Sequence, residues 1–462
     1  LEMSELEFLI LSKAEMSAPY LSIPEKPTPN HTQKPDRKEI KTSLHPNRPP
    51  LFGCAFAGAI AVLTQIEDAS IIAHCPASCA HIVSNMLVST YNRNIENSGI
   101  PSRNIPISFI QTGMDDTMVV FGGIESVAKS AREAAQSKTH AIFIVSSCTP
   151  GITGDNMCGC AEELATELCI PVIAVPVNGV GEGDFSAGIS AGYRAASKLI
   201  RPASQKTDKT VAIIGEKVLA NNISTNFSEI NQYLSSLKIT VACRYIAKTT
   251  LHEIQSIGDA ALILPASSDE ETRAIAACIS EQTGTEVFPF SFPYTFHATV
   301  QWICELADRF SVHEKAKALI QRNEETYKEE IASIRRVTAG KRVIVSSSGP
   351  DISWVLEILS ECGMEIVVAG LFSSPYKPSI KTISSDISVR DDYSPELLYA
   401  DIKKYHPDLV LTTIWLDTEK AEVKYGMIPF CPDFGFFGAL SSMKHWTMIL
   451  SGPVREGWRE DL

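Results

Sequence analysis

A chain of 462 residues exceeds one ordinary core and calls for about three domains of roughly 150 residues each. Its 44% hydrophobic and 21% charged residues exclude a disordered protein, and a net charge of −13 argues against nucleic-acid and anionic-membrane partners. No apolar run approaches the roughly 18 residues that a bilayer span needs.

In chain order, residues 1–15 are acidic with a short apolar segment at 8–11, and do not read as a secretory signal. Residues 1–50 form an extended arm, because seven prolines from Pro24 to Pro50 forbid continuous helix or central strand. From residue 51 the pattern alternates strand and helix: β-rich runs at 70–73, 141–145 and 171–177, helical runs at 127–136 and 161–168. A polar break at 201–209 precedes strands at 210–214, 239–243 and 260–264 and a helix near 226–237. A charged helix at 313–336 leads into strand 342–346, helix 352–362, strand 365–369, helix 395–404 and strand 409–413. The alternation predicts parallel sheets with helices on both faces, as three Rossmann-like α/β/α units at 51–205, 206–340 and 341–462. Residues 425–437, rich in Gly, Pro and aromatics, read as loops around a cavity.

Twelve cysteines in a chain without a signal peptide point to the reducing cytoplasm, where clustered thiols suggest metal or redox chemistry rather than disulfides. Cys169, Cys278, Cys304 and Cys362 lie in apolar or helical stretches and read as small buried hydrophobes. Three others stand where parallel sheets bind ligands, at strand ends and helix starts. Cys54 follows Phe52-Gly53 and opens an apolar helix. Cys79 follows the first strand through His74-Cys75-Pro76-Ala77-Ser78, and Cys148 follows strand 141–145 through Ser146-Ser147. A helix N-terminus stabilises a thiolate, and iron–sulfur sites need thiolates. The separations, 25 and then 69 residues, match no zinc-finger or ferredoxin spacing, so placement alone leaves a metal site and three structural cysteines both open.

Other motifs are weaker. Cys158 and Cys160 are two apart on a helix and point to different sides. Cys75 and Cys79 flank a turn at Pro76, which leaves Cys75 as a neighbour. Gly179-Val180-Gly181-Glu182-Gly183 lacks the dinucleotide-loop spacing, and with no GxxxxGK[ST] anywhere, ATP would have to be bound by another protein.

Three stretches together resemble the nitrogenase component 1-type oxidoreductases, a family of nitrogenase subunits, their cofactor-assembly scaffold and nitrogenase-like reductases. They are Gly53-Cys54 with His74…Ser78-Cys79, Val119-Val120-Phe121-Gly122-Gly123, and Ser147-Cys148-Thr149-Pro150-Gly151-Ile152-Thr153-Gly154-Asp155-Asn156. The resemblance implies that Cys54, Cys79 and Cys148 ligate an iron–sulfur cluster at a subunit interface. That cluster is either an 8Fe P-type cluster shared with three partner thiolates or a 4Fe-4S cluster completed by one partner residue. It implies that Phe121 and Ile152 are docking positions for an ATP-dependent homodimeric iron protein, and that Asp184 lies near an oxygen ligand of the oxidised cluster. The partner implied is a homologous component 1 subunit in an α2β2 heterotetramer.

Two departures stand out. The resemblance calls for a cysteine in the second unit and a histidine in the third where an α subunit holds its iron–molybdenum cofactor. Here those stretches read Leu262-Ile263-Leu264-Pro265-Ala266-Ser267-Ser268-Asp269 and Ile428-Pro429-Phe430-Cys431-Pro432-Asp433-Phe434-Gly435, with neither. Cys243 and Cys431 read as structural thiols, and His445 falls too late. The chain therefore reads as more β-like than α-like. It would be an electron-transfer subunit of a two-component reductase, with any second metallocofactor on the partner chain. Rival readings are a cofactor-assembly scaffold, a metal-free binding protein on the same fold, and a cysteine-nucleophile hydrolase, for which only His74 and His81 offer a base.

Overall fold

In the computed structural model the described residues are 53–98, 109–177, 184–203, 205–349, 351–372, 389–417 and 421–452, with the side chains of 94–98 set aside. The arm expected at 1–50 and the glycine run at 179–183 lie outside them.

Three parallel sheets carry the chain. The first is built from β1 (Ala69–His74), β2 (Phe109–Gln111), β3 (Ala141–Ser146) and β4 (Val172–Pro176), in the order β2-β1-β3-β4. The register pairs Ile72 with Ile144 and His74 with Ser146. All six residues of β3 are buried, because helices cover both faces. Alternate residues enter different cores. Phe143 and Val145 join Ile71 and Ala73 on one side, and Ile142 and Ile144 join Ile72 on the other. The second face is closed by α4 (Ile124–Ala135) and α6 (Met157–Leu168) through Val127, Ala131, Met157 and Leu164.

The first face is closed by α1 (Ala55–Leu63), whose nine residues are all buried, packed against α7 (Phe185–Ser197). Glycines make this crossing. A Cβ on Gly58 would fall on the Phe185 carbonyl, and one on Gly188 on the Ala55 carbonyl. The two helices meet backbone to backbone, which only Gly permits.

The second sheet has the order β6-β5-β7-β8, with β5 (Thr207–Ile214), β6 (Thr240–Tyr245), β7 (Ala260–Pro265) and β8 (Glu286–Val287). The third has the order β11-β10-β9-β12-β13, with β9 (Arg342–Ser347), β10 (Glu365–Leu371), β11 (Val389–Arg390), β12 (Leu409–Thr412) and β13 (Tyr425–Met427). All strand pairs are parallel, as the alternation predicts. The charged helix, His313–Thr338, enters two cores, Ala316 and Leu319 packing with the second sheet's and Tyr327, Ile331 and Ile334 with the third's.

Two expectations are corrected. Residues 425–437 begin as strand β13 rather than as loop, and 428–437 are the expected loop, with aromatic side chains packed together. Phe436 is buried against Tyr233, and Phe434 packs edge-on to Phe292 and tilted against Tyr294. Apolar side chains of that size find more stabilisation against each other than in lining open space. Of the four cysteines expected to be buried, Cys362 is buried and Cys278 half-buried, but Cys169 and Cys304 are exposed. Cys169 caps the end of α6 in the left-handed conformation, and Cys304 directly follows the buried pair Trp302-Ile303.

Candidate metal centre

Each of the three thiols sits in the first turn of a helix. Cys54 is the residue before α1, Cys79 the third residue of α2 (Ala77–Ser98), and Cys148 the first of α5 (Cys148–Thr153). Cys54 is exposed, and Cys79 and Cys148 are half-buried, so the group opens to the surface. Distant in sequence, the three are neighbours in space. Burial pushes the Cys79 thiol above its ordinary value, and the charges of Cys148 and then Cys54 push it further. The helix-start placement predicts a lowered pKa; for Cys79 the direction is upward, with burial and mutual repulsion exceeding the hydrogen bond from Ser78. A positive centre among such thiols would reverse that balance and deprotonate them.

Asp184 lies beside this group. Its backbone forms an antiparallel bridge with Cys54, and its carboxylate accepts from the Ser186 and Ala187 amides at 3.1 and 3.4 Å, capping α7. Ser147, immediately before Cys148, is buried, and its hydroxyl has no hydrogen-bond partner. Among the described residues no three His, Cys, Asp or Glu side chains close on a single metal-ion position. Three surface-opening thiols with an unsatisfied hydroxyl alongside instead suit a polynuclear cluster, whose ligands spread around several metal atoms and whose sulfides accept hydrogen bonds.

Phe121 ends α3 (Asp116–Phe121) and is 84% exposed; Ile152, on α5, is 80% exposed. The two helices pack together, and Val120 is also exposed, so an apolar surface forms over the helix that begins with Cys148. Asp115 caps α3, accepting from the Met118 amide at 2.9 Å.

A buried network beneath this surface went unpredicted. His74 closes β1, and its Nδ1 lies 2.8 Å from Thr112 Oγ1 and its Nε2 3.1 Å from Asp155 Oδ2. Both Asp155 oxygens accept from the Gly123 amide at 3.2 Å. Burial pushes the His74 imidazole below its ordinary 6.5, against the opposing pull of Asp155. A Cβ on Gly123 would strike the imidazole ring, and one on Gly122, at φ +89°, would lie 2.9 Å from Asp155 Oδ1. The paired glycines after Phe121 were the available signal: they mark where a backbone must approach another group closely. With both nitrogens engaged, His74 is no base for a thiol, and exposed His81 is bonded through Nε2 to Asn85.

The positions compared with an α-type cofactor site are occupied otherwise. Ser267 Oγ donates to Asp269 Oδ2 at 2.6 Å, and Asp269 is ion-paired with Lys217. Cys431 lies in a loop fixed by Asn222 and Asn226, and burial pushes its thiol up to about 12. Cys243 is buried and likewise pushed up to about 12. His445 is exposed on α15 (Gly438–Ser451). A groove of about 610 Å³ runs along edge strand β6, lined by Phe227, Asn231, Arg244 and Lys248 and by none of the three thiols.

The family model for nitrogenase component 1 type oxidoreductases matches residues 54–451. The chain belongs to this family. The nitrogenase molybdenum-iron protein alpha chain of Methanothermobacter thermautotrophicus is 28% identical over 375 residues, 78% of each chain. The nitrogenase iron-molybdenum cofactor biosynthesis protein NifE of Sinorhizobium fredii is 25% identical over 438 residues, 88% of this chain and 83% of that one. Among solved structures, nitrogenase Cp1 at pH 5 superposes with a TM-score of 0.69 at 18% identity, covering 88% of this chain and 90% of that one, a likeness of fold. These two relatives carry α-chain and NifE names, whereas the sequence leaned toward a β type. That lean rested on absent cofactor ligands, which describe what a chain carries rather than its subunit lineage. Among the described residues no helix is long and apolar enough to cross a membrane.

Proposed function

We propose that this chain is a cytoplasmic subunit of the catalytic component of a nitrogenase or nitrogenase-like two-component reductase. Cys54, Cys79 and Cys148 hold one side of an interface iron–sulfur cluster, 8Fe P-type or 4Fe-4S, completed by a homologous subunit in an α2β2 assembly. Such a cluster supplies one-electron storage and release. The chain's own part is to hold the thiolates at three helix starts, to keep Ser147 as a nearby donor, and to offer Phe121 and Ile152 to an ATP-dependent homodimeric iron protein. The catalytic site, with any second metallocofactor, lies on the partner chain.

One observation carries this reading: the short helix α5 bears a thiol of the converging group at its start and an exposed apolar residue, Ile152, near its end. Electron entry and electron acceptance then share one element. The test is anaerobic co-purification with the partner subunit, with iron and molybdenum analysis and EPR. Iron in the complex that is lost in Cys79→Ala supports the reading; an iron-free, folded complex removes it and leaves a metal-free binding protein.

A second reading is a cofactor-assembly scaffold. The NifE relative and the stretches around Ser267 and Cys431, which lack the cysteine and histidine of an α-type cofactor site, favour it. A scaffold would keep the interface cluster and the docking surface, and the purified complex would turn over no reducible substrate.

A further inference from the structure

Four segments that carry the candidate site meet at one buried side chain. His74 ends the strand that leads to Cys79, and its carbonyl accepts from the amide of Ser147, next to Cys148, at 3.0 Å. Its ring reaches Asp155, which follows α5 and Ile152, and through Asp155 the Gly123 amide, which follows α3 and Phe121. An ionised carboxylate only accepts, so Nε2 carries the ring proton and the Thr112 hydroxyl donates to Nδ1. That hydrogen-bond pattern fixes the ring in one orientation. Thr112 is itself held, since its carbonyl accepts from Ser126 Oγ at 3.0 Å. The ring is fully buried, so water cannot substitute for either partner.

We propose that His74 is a positioning residue. Through Asp155 it fixes the ends of α3 and α5, and with them Phe121 and Ile152, relative to the segments bearing Cys79 and Cys148. A protein that docks on the apolar surface is thereby aligned with the thiols. This inference rests on the docking and cluster reading above. The two glycines follow from it: any Cβ at Gly123 would displace the ring, and any at Gly122 would crowd the carboxylate.

The test uses the anaerobically purified complex with His74→Asn, His74→Gln and Asp155→Asn. Asn retains an amide where Nδ1 meets Thr112 but falls short of Asp155, whereas Gln reaches Asp155. Iron content and reduction of the bound iron by dithionite, which needs no docking, are expected to stay at wild-type levels in all three. Reduction driven by the iron protein and ATP is expected to fall roughly tenfold or more in His74→Asn and Asp155→Asn, and to stay within about threefold in His74→Gln. Hydrogen exchange at the Gly123 amide is expected to speed up in the same two variants only. Wild-type docking-driven rates in His74→Asn, or iron loss and a parallel fall by both routes in all three variants, would overturn the proposal. A wild-type complex without iron would defeat the functional reading instead, and Gly123 exchange would still decide whether His74 fixes the surface.

Discussion

Cys148 and Cys431 both follow strands of parallel sheets, yet they stand in different surroundings. Both are half-buried, but Cys148 opens a helix, has the Cys79 thiol as a neighbour and carries an exposed apolar residue on its own helix. Cys431 sits in a loop held by two asparagines, desolvated so far that its thiol is pushed up to about 12. Nearby polar groups, Lys217 with Asp269 and Asp269 with Ser267, already satisfy one another. A thiol acquires chemistry from company; alone among groups already satisfied it behaves as a small hydrophobe.

The strongest way to break that comparison is by metal content. Cys79→Ala and Cys148→Ala are expected to abolish bound iron in the anaerobic complex, while Cys431→Ala retains all of it and loses about 1–2 kcal/mol of stability from the small cavity. Iron lost equally in Cys431→Ala would erase the distinction. Next in size, Phe121→Asp is expected to slow reduction by the iron protein more than about tenfold, because central apolar anchors dominate docking. As that side chain is 84% exposed, the melting temperature should hardly move.

Smaller effects concern protons. His74 has a folded pKa below 6.5, so the unfolded chain binds more protons as the pH drops through 6.5. Stability is therefore complete above that value and declines on acidification, and denaturant titrations of His74→Gln should show a flatter decline below pH 6.5. The smallest expected effect is on thiol reactivity in the metal-free chain. Cys79 should alkylate with a midpoint above the ordinary 9.0, and Cys54→Ser should lower that midpoint by removing one repelling charge. An unchanged midpoint would mean the thiols do not converge in solution.

Much of the fold was legible because β-rich runs in doubly covered sheets are apolar throughout. The strand expected at 141–145 is Ala141–Ser146, and that at 70–73 is Ala69–His74. The helix-start thiols were legible for a related reason: a strand end followed by Pro or Gly marks a tight turn into a helix. What stayed hidden was pairing at a distance. His74 and Asp155 are 81 positions apart, and no local pattern says that one side chain will meet the other. Cys169 and Cys304 were misjudged because apolar neighbours in sequence do not tell which way a helix end turns or which face a residue takes.

The crossing of α1 and α7 bears on the rigidity of the candidate centre. Gly58 and Gly188 let the two backbones touch, and the same pair of helices begins beside Cys54 and Asp184, joined by their backbone bridge. Main chain locked to main chain has little freedom to yield, so under the proposed function these two positions would keep their places as a cluster beside them gained or lost an electron. Ligands mounted this way would contribute little reorganisation energy to the proposed cluster, as a preoriented environment does at any centre where charge comes and goes.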